Sequence, residues 1–171
     1  MTHPITAPAS LPGAQRPFSL PLILLAASVA PLLVAFASQY LGGLQPCTLC
    51  IWQRWGYGGA IALGIVSMLL PRPLKVWGAL LTALALLVVA GLALFHVGVE
   101  QHWWQGLAAC TGNINPNQSL ADLEQQLMAT PVIPCDRPAW TMFGVSMAGY
   151  DFLYAAAVGL YGVAAALRRA L

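Results

Sequence analysis

Four apolar stretches dominate the chain, at residues 20–41, 51–70, 74–99 and 142–167. Each approaches or exceeds the roughly 20 residues a helix needs to cross the hydrocarbon core of a bilayer. Composition agrees, because 59% hydrophobic and 7% charged side chains could not cover a water-facing surface. A soluble globular protein is excluded. The net charge of +2 is too small to supply the phosphate neutralisation that nucleic-acid binding requires, so no nucleic-acid partner is expected. The sequence reads as an all-α integral membrane protein. A four-helix transmembrane bundle occupies a single domain at residues 20–171, behind an amino-terminal tail at 1–19.

Pro71-Arg72-Pro73 removes two backbone donors between the second and third spans, leaving room only for a tight turn between antiparallel neighbours. Gly56, Ala60 and Gly64 in the second span, and Ala155 and Gly159 in the fourth, have the spacing that lets helix backbones approach closely in lipid. Arg16, Arg72, Lys75, Arg168 and Arg169 fall on one side of an even number of spans, and only Arg54 and Arg137 on the other. The positive-inside bias therefore makes both termini cytoplasmic and places the loop at about 101–139 outside. Trp52, Trp55, Trp103, Trp104 and Trp140 mark that outer interface, and all four cysteines share it. Ala35-Phe36-Ala37 resembles a signal-peptidase site, but the apolar run exceeds a typical leader core and only Arg16 precedes it, so an uncleaved first span is expected. In the loop, Ser119 and Asp122 have capping-box spacing, and Leu120, Leu123 and Leu127 repeat helically, which predicts a short helix on the membrane surface. Asn117-Gln118-Ser119 is a formal glycosylation triplet of the kind that also arises by chance.

Cys47-Thr48-Leu49-Cys50 follows Pro46 and opens the second span, where unpaired amides and the positive helix end favour a thiolate. Arg54, four residues after Cys50, lies one turn further on the same face, so a stabilised Cys50 thiolate is expected, a good leaving group in disulfide exchange. Zinc would need Cys110 and Cys135, with His96 or His102 as substitutes, to complete four ligands. A loop holding Pro116, Pro131 and Pro134 is unlike a zinc knuckle, and redox chemistry without a metal is the expectation. Four cysteines facing an oxidising compartment permit Cys47 with Cys50 and Cys110 with Cys135. As a mere staple the loop pair would contribute about 3 to 4 kcal/mol. A disulfide in an exposed loop is also accessible to exchange, and the two pairs together suggest a relay from the loop to the interface motif. Such a relay needs an acceptor at the rim of the hydrocarbon. A lipid-soluble quinone is the natural candidate, since neither a Rossmann fingerprint nor Cys-x-x-Cys-His is present.

These residues resemble the bacterial disulfide bond formation protein B (DsbB) family, inner-membrane thiol oxidases. The resemblance runs from the first span onward. Its strongest element is Pro46-Cys47-Thr48-Leu49-Cys50-Ile51-Trp52-Gln53-Arg54, with Cys110 and the spacing of Cys135, Trp140, Gly144 and Met147 as further elements. It implies a thiol:quinone oxidoreductase of the bacterial inner membrane, with periplasmic cysteines. This enzyme reoxidises a periplasmic thioredoxin-like oxidase of the DsbA type and passes electrons to ubiquinone, or to menaquinone without oxygen. Residue by residue, Cys110 would form the mixed disulfide with the partner, Cys135 would exchange with Cys47, and Cys50 would contact the quinone. Arg54 would favour the Cys50 thiolate and the charge developing on the quinone, with Met147 packed near the ring. The family's histidine near the quinone has no ungapped counterpart here; His102 is favoured over His96, and His3 has no case.

Two further classes compete with an enzyme: a membrane protein binding a soft metal through thiolates and His or Met, and a noncatalytic scaffold stapled by disulfides. Asp151 lies deep in the fourth span, where a carboxylate is costly unless neutral, paired or hydrated, and a protonated packing residue is the expectation.

Overall fold

The apolar stretches are helices in the computed structural model of the chain, which describes residues 19–107, 110, 119, 121, 124 and 133–171. Helix α1 spans Ser19–Tyr40, α2 Thr48–Leu69 and α3 Arg72–Glu100; a two-residue β1 (Thr141–Met142) and β2 (Val145–Ser146) precede α4, Met147–Ala170. Leu120, Asp122, Leu123 and Leu127 of the expected surface helix lie outside the described residues, as do the amino-terminal tail through residue 18, Asn117 and Gln118. Three helices, α1, α3 and α4, are long and apolar enough to cross a membrane. Helix α2 has the same 22-residue length as α1. Gln53, Arg54 and its glycines make it less apolar.

Local chemistry sets each boundary. Pro71 caps α3 with no donor of its own to lose, and Lys75 Nζ donates to Met68 O at 2.9 Å, satisfying a carbonyl at the end of α2. The tight antiparallel turn expected from Pro71-Arg72-Pro73 is therefore present. The fourth helix starts later than its apolar run. Residues 142–146 belong to a hairpin pairing Thr141 with Ser146 and Met142 with Val145. Its two turn residues, Phe143 (φ 51°) and Gly144 (φ 78°), both adopt positive φ as a two-residue primed turn demands. Ser146 then caps α4, its Oγ accepting from Gly149 N at 3.1 Å. Arg168 and Arg169 in the last turn of α4 suit the negative end of its dipole.

Helix α3 is central, and the core along it is built from small side chains: Ala79, Ala83, Ala90 and Ala155 are buried with Leu24, Leu86 and Val89. A Cβ on Gly159 would meet Leu87 Cδ2 at 2.7 Å, and one on Gly162 would meet Ala83 Cβ at 2.7 Å. Close backbone approach is thus real in α4, as its small residues suggest. Gly162→Val is expected to destabilise the bundle by about 3 kcal/mol, because Ala83 Cβ has no rotamer by which to yield. Unfolding in detergent followed by circular dichroism measures it. Pro31 interrupts the α1 ladder, and the carbonyl it cannot serve, that of Ala27, accepts Tyr154 Oη at 2.9 Å from α4. Leu22, Leu33, Val66, Leu81, Val88 and Leu160 form an exposed apolar exterior.

A candidate thiol redox site

The end of α1, the start of α2, the end of α3 and the start of α4 meet at one end of the bundle, and every cysteine is there. Cys47 is the cap of α2. Its sulfur takes the place of a Ser or Asp oxygen and accepts the Cys50 amide at 3.3 Å. The Cys47 and Cys50 sulfurs lie 3.0 Å apart as free thiols. From the last turn of α3, His96 Nε2 approaches Cys47 Sγ at 3.6 Å, while Gln53 Nε2 stands 3.2 Å from His96 Nδ1. With the amide donating to Nδ1, the neutral ring carries its proton on Nε2 and aims it at Cys47. Glu100, one turn further along α3, places Oε1 3.9 Å from the same Nε2.

These donors converge on Cys47, so the Cys50 thiol is the donor between the two sulfurs and Cys47 the anion. The hydrogen bond from Cys50 and, after it, the imidazole of His96 pull the Cys47 thiol down to about 4, against the opposing effect of burial. Arg54 was expected to hold a thiolate at Cys50; the donors around the couple favour one at its neighbour. The guanidinium of Arg54 is taken up by α1: Nη1 donates to Gln39 Oε1, Nη2 to Ala35 O at 3.2 Å, and Cζ lies 5.1 Å above the Phe36 ring.

Cys110 and Cys135 form a disulfide with Cα atoms 5.1 Å apart. Its sulfurs are not exposed, as a loop position suggested, since Cys110 is 2% and Cys135 1% accessible. They pack with Cys47, Leu49 and Val99 in one cluster that Cys50, Phe95 and Ile133 complete. Both couples thus share a dry neighbourhood. Beside it lies an apolar cavity of about 610 Å³. Cys47, Cys50, Arg54, His96 and Met147 all line it. His102 does not. It follows the end of α3 with φ 57° and lines a separate hollow with Trp103, Cys110 and Asp136. The histidine on the cavity is therefore His96, whose helical position turns it inward.

Three groups at the site carry no assigned role from the sequence. Glu100 was legible from its i+4 spacing to His96, and Gln53 from its place one turn after Cys50. Tyr57, whose hydroxyl donates to Asp151 Oδ1 at 2.6 Å, carries no such signal because its partner is 94 residues away. The Cys47, Cys50 and His96 ligand atoms also lie within 4.8 Å of one another, a soft three-ligand set.

Residues 17–165 match the protein family described as Disulfide bond formation protein DsbB. Disulfide bond formation protein B of Dechloromonas aromatica is 31% identical over 144 residues, covering 80% of this chain and 84% of the relative. The protein of the same name from Marinobacter nauticus is 32% identical over 149 residues, covering 81% and 84%. An uncharacterised protein of Rickettsia prowazekii is 28% identical over 136 residues, 78% of each chain. No solved structure matches.

Proposed function

The chain belongs to the DsbB family, membrane proteins of disulfide bond formation, and from that premise we propose that it is a thiol:quinone oxidoreductase regenerating a periplasmic dithiol oxidase of the DsbA type. Helix α2 is then the fourth membrane span of a bundle in the bacterial inner membrane. Both termini are cytoplasmic and the cysteine end is periplasmic, in keeping with the placement of the basic residues. The observation that carries this reading is the packing of both cysteine couples in one buried cluster, of which Cys47 and Cys50 line an apolar cavity.

In the proposed sequence a partner thiolate attacks Cys110 Sγ and Cys135 leaves as the thiolate. Oxidation of the partner is completed when its second thiol displaces Cys110. Cys135 in turn attacks Cys47 in the Cys47–Cys50 disulfide and frees Cys50 beside the cavity; displacement of Cys47 by Cys110 restores the loop disulfide and leaves Cys47 and Cys50 reduced. Each exchange moves two electrons and breaks one S–S bond for every one formed. The low basicity of Cys47 makes it a good leaving group in that last displacement. Bound in the cavity, ubiquinone, or menaquinone without oxygen, supplies the two-electron sink that restores the Cys47–Cys50 disulfide.

The residues present fit such a group. The cavity falls within the volume range of cofactor sites, its wall is mostly apolar, and Asp151 on that wall has a buried Oδ2 without a partner among the described residues. Arg54 and Met147 are the residues we assign to holding the ring, with His96 in the part expected of His102. Anaerobic turnover of a reduced thioredoxin-like partner with ubiquinone as sole oxidant is the expected result; absence of turnover with any such partner would favour a stapled scaffold. The soft-metal reading rests on the Cys47, Cys50 and His96 set. Stoichiometric metal retained through reduction and purification, with no quinone reduction, is its distinguishing outcome.

A further inference from the structure

Thiol exchange makes no use of a second polar group on the cavity. Tyr57 of α2 and Asp151 of α4 both line it, and the Tyr57 hydroxyl donates to Asp151 Oδ1 at 2.6 Å. The other carboxyl oxygen, Oδ2, is buried and has no hydrogen-bond partner among the described residues. Among the described residues no ion pair reaches Asp151. The charged groups that share the cavity are Arg54, His96, Glu100 and Arg137. Arg54 is committed to Gln39 and Ala35, and His96 to Gln53 and Cys47.

No cation among the described residues pairs with Asp151, and a carboxyl so placed in apolar surroundings favours its neutral form. Because Oδ1 already accepts from Tyr57, the proton of the neutral acid belongs on Oδ2. The result is a buried donor on a residue that lines an apolar cavity, with no acceptor among the described residues, a feature that points to an acceptor on the ligand.

We propose that Asp151 keeps its proton on Oδ2 and donates a hydrogen bond from it to a carbonyl oxygen of a quinone in the cavity, with Tyr57 fixing which carboxyl oxygen carries the proton. This inference rests on the quinone reading above. It makes Asp151 a binding and orienting residue, and it converts a packing acid into a determinant of ligand class: a flat apolar ring bearing a carbonyl.

The test uses the full-length protein in quinone-free nanodiscs, titrated with a short-chain ubiquinone analogue. Infrared difference spectra should show a protonated-carboxyl C=O band that moves to lower frequency on addition of the analogue and is absent in Asp151→Asn. Binding, followed by tryptophan fluorescence quenching, should weaken about tenfold in Asp151→Leu, the loss of one hydrogen bond, and stay within about threefold in Asp151→Asn, whose amide still donates. A carboxyl band that ignores the quinone, or Asp151→Leu binding as tightly as wild type, overturns the proposal. Should Asp151→Leu fail to fold, the wild-type band and its loss in the nearly isosteric Asp151→Asn decide the matter alone. Wild-type protein that binds no quinone refutes the quinone reading itself, and this inference with it, so the two failures are told apart by the wild-type titration.

Discussion

Cys135→Ser is expected to lower turnover to about a thousandth of wild type or less and to accumulate a mixed disulfide through Cys110 when it is offered a thioredoxin-like partner whose second cysteine is replaced by serine and whose first is activated as a mixed disulfide with thionitrobenzoate, the leaving group. In the wild type Cys110 and Cys135 are bonded to each other, and Cys135 packs in the same buried cluster as Cys47. Without Cys135, the Cys110 thiol can still attack a partner disulfide. With no second thiol on that partner and no Cys135 in the loop, the adduct has no sulfur beside it to resolve it, and no route remains from the loop to Cys47. Non-reducing electrophoresis with peptide mapping of the cross-link measures the outcome. Cys110→Ser should give no adduct. A cross-link that maps to Cys47 or Cys50 in Cys135→Ser would show that the partner reaches the interface couple directly and would sink the ordered relay.

The second large effect concerns pH. In the reduced protein the Cys47 thiol, held at about 4 first by Cys50 and then by His96, is an anion throughout the neutral range. Alkylation of Cys47 by a neutral reagent should therefore stay level from about pH 8 to about pH 5 and decline only as pH falls through about 4. The linkage has the same sign. A thiol whose pKa is lowered on folding adds stability above its unfolded value, and that stability is lost as pH falls through about 4. His96→Ala removes one donor while leaving Cys50 in place, so the midpoint should rise toward the ordinary thiol range and alkylation at pH 6 should slow about tenfold. Quantitative mass spectrometry of the Cys47 peptide checks both curves. A His96→Ala profile that overlays the wild type would remove the imidazole from the site's chemistry.

Much of this is legible in the sequence. Apolar run length located the helices, and Pro71-Arg72-Pro73 announced the turn, because both act through local backbone and transfer energetics. The late start of α4 was hidden, since Met142, Phe143 and Val145 are as apolar as the helix that follows. Only the positive φ at Phe143 and Gly144 makes them a hairpin. His102 looked better placed than His96 by distance along the chain. What decides is helical phase, which directs His96 and Glu100 into the bundle, whereas the chain has already left the helix at His102. Arg54 shares a helix face with Cys50, yet its guanidinium is claimed by Gln39 and Ala35 of α1, contacts that no local spacing encodes. Likewise Asp151 looked solitary in its span until α2 brought Tyr57 to it.

The concealment of Cys110 and Cys135 has a bearing on selectivity. Small thiols in the surrounding fluid collide often with any accessible S–S bond and would drain its oxidising power without making anything useful. With 2% and 1% of these residues accessible, few such collisions find a sulfur to strike. A reductant must first displace whatever covers the bond. Shielding of this kind turns a chemically promiscuous bond into one that answers only to a visitor able to unwrap it.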